Sequence, residues 1–372
     1  MESRFRSRPT RAVVDLSALA RNYRHLRERA GRSEVFPVVK SDAYGHGAVP
    51  VARRLEQEGA GRFAVAVAEE GIELRRGGVR GRILILGFSD PRDVALWRSY
   101  GLVPSLYDIS QARSIASACA GLSDPQPVHL KLDTGMGRLG IVPGELSEVI
   151  ALLAQSPQLK LEGTFTQLAR AQEPESPATD RQIETMRSCV AALTEAGLDP
   201  GLVHVANSAA LLVHPSSLFQ AVRPGLALYG VPPSETIDPE ELEPVMTVET
   251  AVMSVRRVPA GTPLGYGGTF VTGRASNIAV LPVGYDDGLR RSLSGRVSVL
   301  LRGKEAPLVG AVSMNLTLVD ATDCGAEIGD RVVILGSDAG RRVTSWDLAR
   351  AAGTIPYEIL CGFGARLPRS CV

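Results

Sequence analysis

Between residues 35 and 230, eight short apolar runs alternate with helical patterns, and that alternation is the tightest constraint on the fold. The runs are VFPVV (35–39), FAVAV (63–67), ILIL (83–86), LVPSL (102–106), VHLKL (128–132), LEGTFT (161–166), LVHVAN (202–207) and AVRPGLALYG (221–230). Amphipathic stretches such as AVPVARRLEQEG (48–59) and TDRQIETMRSCVAALTEAG (179–197) lie between most of them. Eight strands with intervening helices fit a (β/α)8 barrel of the TIM type, an α/β fold. A doubly wound open sheet is the competing topology. No GxGxxG follows the first run, so the usual sign of a dinucleotide-binding sheet is missing.

After about residue 240 the texture changes. VMTVETAVMSVRRV (245–258), SNIAVLPVG (276–284), RVSVLL (296–301), LTLVD (316–320) and DRVVILG (330–336) are β-rich runs broken by turn residues. They predict a second, mostly antiparallel β domain. One helical stretch, SWDLARAAG (345–353), follows. A chain of 372 residues exceeds one ordinary core, so two domains are expected: a barrel over 10–238, and a β-rich domain over 239–372 that includes the extreme N-terminus.

The formal net charge is +1, which gives no electrostatic reason to expect nucleic acid or an anionic membrane as partner. Arginines between Arg4 and Arg32 are interleaved with Asp15 and Glu28 in a helical pattern, the mark of a solvated helix face. The five cysteines form no CxxC pair, so neither a disulfide framework nor a metal site is expected. With no apolar signal segment at the N-terminus and no run of about 20 apolar residues, a reducing cytoplasm is the expected compartment.

In barrels, catalytic groups come from the C-terminal ends of several strands. Lys40 ends the first run and is followed by Tyr44 in a glycine-broken loop. Lys131 lies in the fifth run, and Asp133 and Arg138 lie in or after its loop. Gln167 follows the sixth, Asn207 and Ser208 the seventh, and Arg223 and Gly225 sit in the eighth. Polar groups recur where a site should be.

Seven segments, in order and at approximately the same spacing, resemble the alanine racemase family: VVKSDAYGHG (38–47), KLDTGMGRLG (131–140), HVANSAALL (204–212), VRPGLALYG (222–230), GYGGTF (265–270), GYDDG (284–288) and PYEILC (356–361). The resemblance covers nearly the whole chain and implies pyridoxal 5'-phosphate (PLP) as cofactor and interconversion of L- and D-alanine by a two-base mechanism. A PLP enzyme of this kind needs a lysine to carry the cofactor, a role that the resemblance assigns to Lys40. Freed by substrate, its amine serves one face of the α-carbon. Inversion needs a second acid/base on the other face, which the resemblance assigns to Tyr266, contributed by the partner subunit. Amines and phenols both titrate near about 10 in water, so both roles require a cationic environment.

The resemblance further implies that His204 and Arg223 form a polar network with this tyrosine. Arg223 faces the cofactor's pyridine nitrogen, and an arginine cannot accept a proton there. Tyr44, Ser208, Gly225 and Tyr357, with Asn207 beside them, receive the phosphate; Gly225 allows close backbone approach. Arg138 pairs with the phenolic oxygen of PLP and helps hold the substrate carboxylate. Lys131 matches a lysine that is carbamylated in many relatives and orients that arginine. Met314 offers its backbone amide from the partner subunit, so a homodimer with shared sites is implied.

Four positions depart from the family pattern. Gln167 stands where a histidine is usual, Gln172 where an acid is usual, Ala311 where arginine is usual and Asn315 where aspartate is usual. The expectation is an entrance wider or less charged than usual, with serine or another small amino acid as the alternative substrate. A non-catalytic PLP binder would resemble only the first two-thirds of the chain. A related PLP decarboxylase is a further alternative, but Arg223 in VRPG and Ser313-Met314 fit the racemase pattern better.

Overall fold

A computed structural model describes residues 8–237, 241–364 and 366–372. The chain divides into two compact units. One comprises Leu19–Ala43 and Ala48–Glu243; the other gathers the segment ending at Ala18, Tyr44–Gly47 and Pro244–Val372. The expected boundary at 238/239 lies outside the described residues, as do residues 1–7 at the head of the arginine-rich stretch.

The larger unit is a closed parallel barrel, and its pairings can be followed all the way round. Glu34–Val35 pairs with Ala221–Val222, which pairs with Leu202–His204, then Leu159–Phe165, Gln126–Lys131 and Ser105–Leu106. Across Pro104 the fourth strand continues as Leu102–Val103, which pairs with Arg82–Ile85 and then Arg62–Val65. A parallel bridge between Val38 and Ala64 closes the ring. Apolar runs that repeat with a crossover helix between them have this closed solution because both faces of each strand are then covered. Phe36, Leu84, Val103 and Ala221 form one buried cluster inside it. Outside, Ala48–Gln57 buries Ala48, Val51, Ala52 and Leu55, one stripe at helical spacing.

The seventh and eighth strands stop short of their apolar runs, as does the first, which spans only Glu34–Val35. The eighth spans only Ala221–Val222, so Arg223 and Gly225 lie just beyond its end, not within it, and Leu226–Tyr229 is a 3-10 turn. The seventh stops at His204.

The smaller unit is mostly antiparallel. Met246–Ala251 pairs on one side with Arg331–Asp338 and on the other with Arg11–Val14, whose far neighbour is Arg369–Cys371 in parallel. Ser298–Leu301 and Lys304–Pro307 extend the sheet beyond Arg331–Asp338. Ser254–Val258, Ser276–Leu281 and Thr317–Asp320 form a second sheet. Pro263–Leu264 and Phe270–Val271 make a two-stranded ribbon. No described helix is long and apolar enough to cross a membrane.

Candidate active site

Lys40 does not enter a loop. It opens a helical turn, Lys40–Gly45, in which Ser41, Asp42, Ala43 and Tyr44 have φ of +53°, +52°, +53° and +54°. That is a left-handed turn made of four consecutive non-glycine residues. Left-handed backbone costs an L-residue roughly 1–2 kcal/mol, so such a run persists only where its surroundings hold it. Asp42 Oδ1 accepts from the Ala48 amide at 2.7 Å, closing the turn onto the following helix.

Arg223 is the most deeply placed cation of the barrel unit's site, 3% exposed. Its acceptors are neutral. Nη1 donates to His204 Nδ1 and to the His204 carbonyl, both at 2.7 Å, and Nη2 donates to the Thr166 carbonyl at 2.6 Å and to Gln167 Oε1 at 3.4 Å. The guanidinium lies over the Phe165 ring, which stacks on His204 with an interplanar angle of 6°. Burial lowers the Arg223 pKa to about 9, which leaves it protonated at neutral pH. Because arginine only donates, His204 Nδ1 must accept, so its Nε2 carries the proton and donates to His129 Nδ1 at 2.9 Å. Both rings stay neutral: burial first, then the nearby arginines, pushes His129 down to about 3 and His204 well below its ordinary value. The Arg223–His204–His129 row is thus directional. Gly163 makes room for it, since a Cβ there would lie 2.5 Å from the His129 ring.

His129 was not among the residues singled out from the sequence. Its signal was its position two before Lys131 on one strand, since alternate strand residues share a face.

Lys131 is buried, donates to the Leu86 carbonyl at 3.0 Å and sits 5.5 Å from the centre of the Phe165 ring. Burial, then Arg223, Arg138 and Lys40, lowers its pKa to about 8 against the opposing pull of Asp133. Three cations, Lys40 among them, therefore act on Lys131 within the barrel unit. Arg138 is exposed at the end of a loop organised by Asp133. That carboxylate accepts from the amides of Gly135, Met136, Gly137 and Arg138. Burial raises the Asp133 pKa, but these amide bonds outweigh it and the net shift is downward.

Ser208 Oγ accepts from the amides of Gly225 at 2.9 Å and Ala227 at 3.2 Å, which leaves its own proton to donate elsewhere. Asn207 caps Ser208–Val213 through the Ala210 amide, at 3.0 Å.

The remaining candidates belong to the smaller unit. The rings of Tyr44 and Tyr357 lie 5.9 Å apart, and burial raises the Tyr357 pKa. Gly45, the next residue, lies so close to the Leu360 backbone that a Cβ would meet its carbonyl at 2.4 Å. Tyr266 is 75% exposed at the turn of the ribbon, with Gly265, Gly267 and Gly268 all at positive φ. Next to that turn run residues 310–316: a Cβ on Gly265 would lie 3.2 Å from the Ala311 amide. Met314, 53% exposed, is braced from behind, where its carbonyl accepts from Asp286 and the Ser313 carbonyl accepts from Tyr285. Asn315 donates to Asp286 at 3.3 Å.

A buried arginine with neutral acceptors, two further lysines, an exposed arginine and a hydroxyl with a free proton fit a doubly charged phosphate ester that also carries a carbonyl for an amine. The donor set therefore fits PLP, and the larger unit has the architecture of a PLP-binding barrel. Residues 14–233 match the family described as alanine racemase, N-terminal domain, and residues 245–371 match the alanine racemase C-terminal domain. An alanine racemase of Syntrophobacter fumaroxidans is 44% identical over 354 residues, covering 94% of each chain. One from Symbiobacterium thermophilum is 41% identical over 364 residues, covering 97% of each. Among solved structures, the alanine racemase of Bacillus anthracis with bound L-Ala-P superposes with a TM-score of 0.93 at 36% identity, covering 98% of this chain and 95% of that one. That of a D-cycloserine-producing Streptomyces lavendulae gives 0.91 at 36% identity, covering 98% and 97%. The chain belongs to the alanine racemase family, PLP-dependent isomerases.

Proposed function

We propose that the protein interconverts L- and D-alanine through two proton-handling groups, Lys40 Nζ and Tyr266 Oη, on opposite faces of the substrate α-carbon. PLP, when bound, withdraws electrons from that carbon and makes its proton removable. Lys40 Nζ takes or returns the proton on one face, and Tyr266 Oη does so on the other. Arg223 would face the ring nitrogen, where an arginine has no lone pair with which to accept a proton. Arg138 holds the substrate carboxylate, steadied by Asp133, and the Met314 amide offers a second donor. Ser208, Asn207, Gly225, Tyr44 and Tyr357 supply the phosphate's donors. Lys131, with its pKa near 8, has a substantial neutral fraction available to add carbon dioxide and become an anionic support for Arg138.

The observation that carries this reading is the buried Lys131, on which Arg223, Arg138 and Lys40 all act, in a chain of this family. Tyr266 and Met314 are exposed and adjacent in one unit, which supports their acting on a second copy, so the working form is a homodimer with two shared sites. The cytoplasm is the proposed compartment. Chiral product analysis of the PLP-loaded protein with L-alanine tests the reading. D-alanine is expected; an amine with carbon dioxide would mark a decarboxylase, and no turnover a binder.

Gln167 Oε1 accepts from Arg223, a contact that supports an altered site floor, and Gln172, Ala311 and Asn315 add the idea of a less charged entrance. Serine is then the expected second substrate. Side-by-side racemisation rates for alanine and serine decide; strict alanine preference would refute the wider entrance.

A further inference from the structure

We propose that Glu70 is a positioning residue for Lys40, its carboxylate pinning the backbone amide that follows Lys40 and so holding the left-handed turn that presents the amine. The proposal rests on the reading of Lys40 as the PLP-bearing base.

Three observations meet here. First, residues 41–44 are all left-handed and none is glycine. The turn is therefore strained at each of these residues and needs bonds from outside to persist. Second, Glu70 supplies such a bond at the first strained residue. Its Oε1 accepts from the Ser41 amide at 2.6 Å, while Oε2 accepts from the amides of Ala66 at 2.6 Å and Val67 at 3.4 Å. Amide bonds to an ionised carboxylate are roughly twice as strong as neutral ones. Third, those amides belong to the exits of two neighbouring barrel strands. Val38 bridges to Ala64, and the Val39 amide donates to the Ala64 carbonyl at 2.9 Å, so one carboxylate ties both chain exits together.

Helix capping does not account for the arrangement. Glu70 occupies the third position of Ala68–Arg76, where a glutamate commonly reaches back to the N-cap amide. That task occupies Oε2 at Val67. The bond from Oε1 to Ser41, 29 positions away in sequence, is additional. It acts on the peptide group whose carbonyl carbon belongs to Lys40, so it fixes that peptide plane and with it the direction in which the Lys40 side chain leaves the backbone.

The test measures how fast the apoprotein captures PLP at Lys40, by the absorbance of the lysine-bound cofactor and by borohydride reduction with peptide mass mapping. Glu70→Ala is expected to slow capture at least tenfold, while Glu70→Gln, which keeps one acceptor oxygen, gives an intermediate rate. Glycine adopts positive φ without steric cost, so Ser41→Gly in the Glu70→Ala background should restore much of the lost rate, which a loss of capping alone would not allow. Wild-type capture by Glu70→Ala, or no recovery in the double variant, overturns the proposal. If Glu70→Ala does not fold, Glu70→Gln decides, and capture at the wild-type rate overturns it. Lys40→Ala separates the two levels. Lysine-bound cofactor formed elsewhere at the normal rate would sink the reading of Lys40 itself, whereas a dead Lys40→Ala beside a normal Glu70→Ala would sink only the role of Glu70.

Discussion

Lys40 leaves a strained turn whose Ser41 amide is bonded to Glu70 and whose Asp42 is bonded to the next helix. Tyr266 stands 75% exposed between glycines on a two-stranded ribbon. The two proposed bases thus come from regions built on opposite principles. One is over-determined within a single chain, as a group that must hold a cofactor at a fixed angle should be. The other is an exposed aromatic flanked by glycines at positive φ, which on the proposed reading is completed by a second copy. A half-site prepared in advance and a half-site completed by assembly predict different failures when each is altered.

The largest effect is expected at the bases themselves. Lys40→Ala should lower racemisation by at least about a thousandfold and stop α-proton exchange with solvent from both enantiomers, because it removes both the cofactor anchor and one base. Tyr266→Phe should lower racemisation by roughly 10²–10⁴ while leaving solvent deuterium exchange from the enantiomer that Lys40 serves. Equal loss of exchange from both enantiomers would remove the difference between the two regions.

A smaller effect is expected at Gly284, where a Cβ would lie 2.2 Å from the carbonyls of both Ser313 and Met314. Gly284→Ala must displace the loop carrying Met314, at a cost of about 1–3 kcal/mol. We expect a raised KM for alanine and weaker self-association by analytical ultracentrifugation, with PLP capture at Lys40 unchanged. Impaired capture with intact association would place the loop in the wrong half of the comparison.

The smallest effect concerns acid stability. Glu249 is buried in the smaller unit's main sheet between Arg331 at 2.6 Å and Arg11 at 2.8 Å. Burial raises its pKa, but the two arginine hydrogen bonds outweigh that and the net shift is downward. A carboxyl with a lowered folded pKa adds stability that is fully present above its unfolded value of 4.5 and is lost as pH falls through the folded value. Glu249→Gln should therefore melt lower than the parent at pH 7, and its melting temperature should fall less between pH 5 and pH 3. A parallel fall in both proteins would contradict this.

The barrel was legible because eight apolar runs at crossover spacing have few other solutions, and the β texture after residue 240 marked the second unit. Candidate residues could be named from the sequence where the resemblance assigns a role that few residue types can fill, as at Lys40, Arg223 and Tyr266. What stayed hidden was long-range. The left-handed turn after Lys40 is disfavoured for a run of non-glycine residues such as Ser-Asp-Ala-Tyr, and one of the bonds that hold it comes from a carboxylate 29 residues away that accepts from the Ser41 amide. His129 was hidden for a related reason: its significance lies in a bond to His204 across two intervening strand pairings, with Gly163 leaving the space. The ends of the seventh and eighth strands were overestimated because VHVAN and VRPGLALYG stay apolar after the ladder has stopped.

The most direct test mixes the two inactive parents. Lys40→Ala and Tyr266→Phe protomers are unfolded together, refolded at equal amounts with PLP and assayed for L-to-D conversion. If the amine and the phenol come from different chains, each mixed dimer contains one site with both groups intact, and activity should return to roughly a quarter of the wild-type value. If the mixture stays as inactive as its parents while mixed dimers are demonstrably present, the two groups do not meet across a subunit boundary and the account fails.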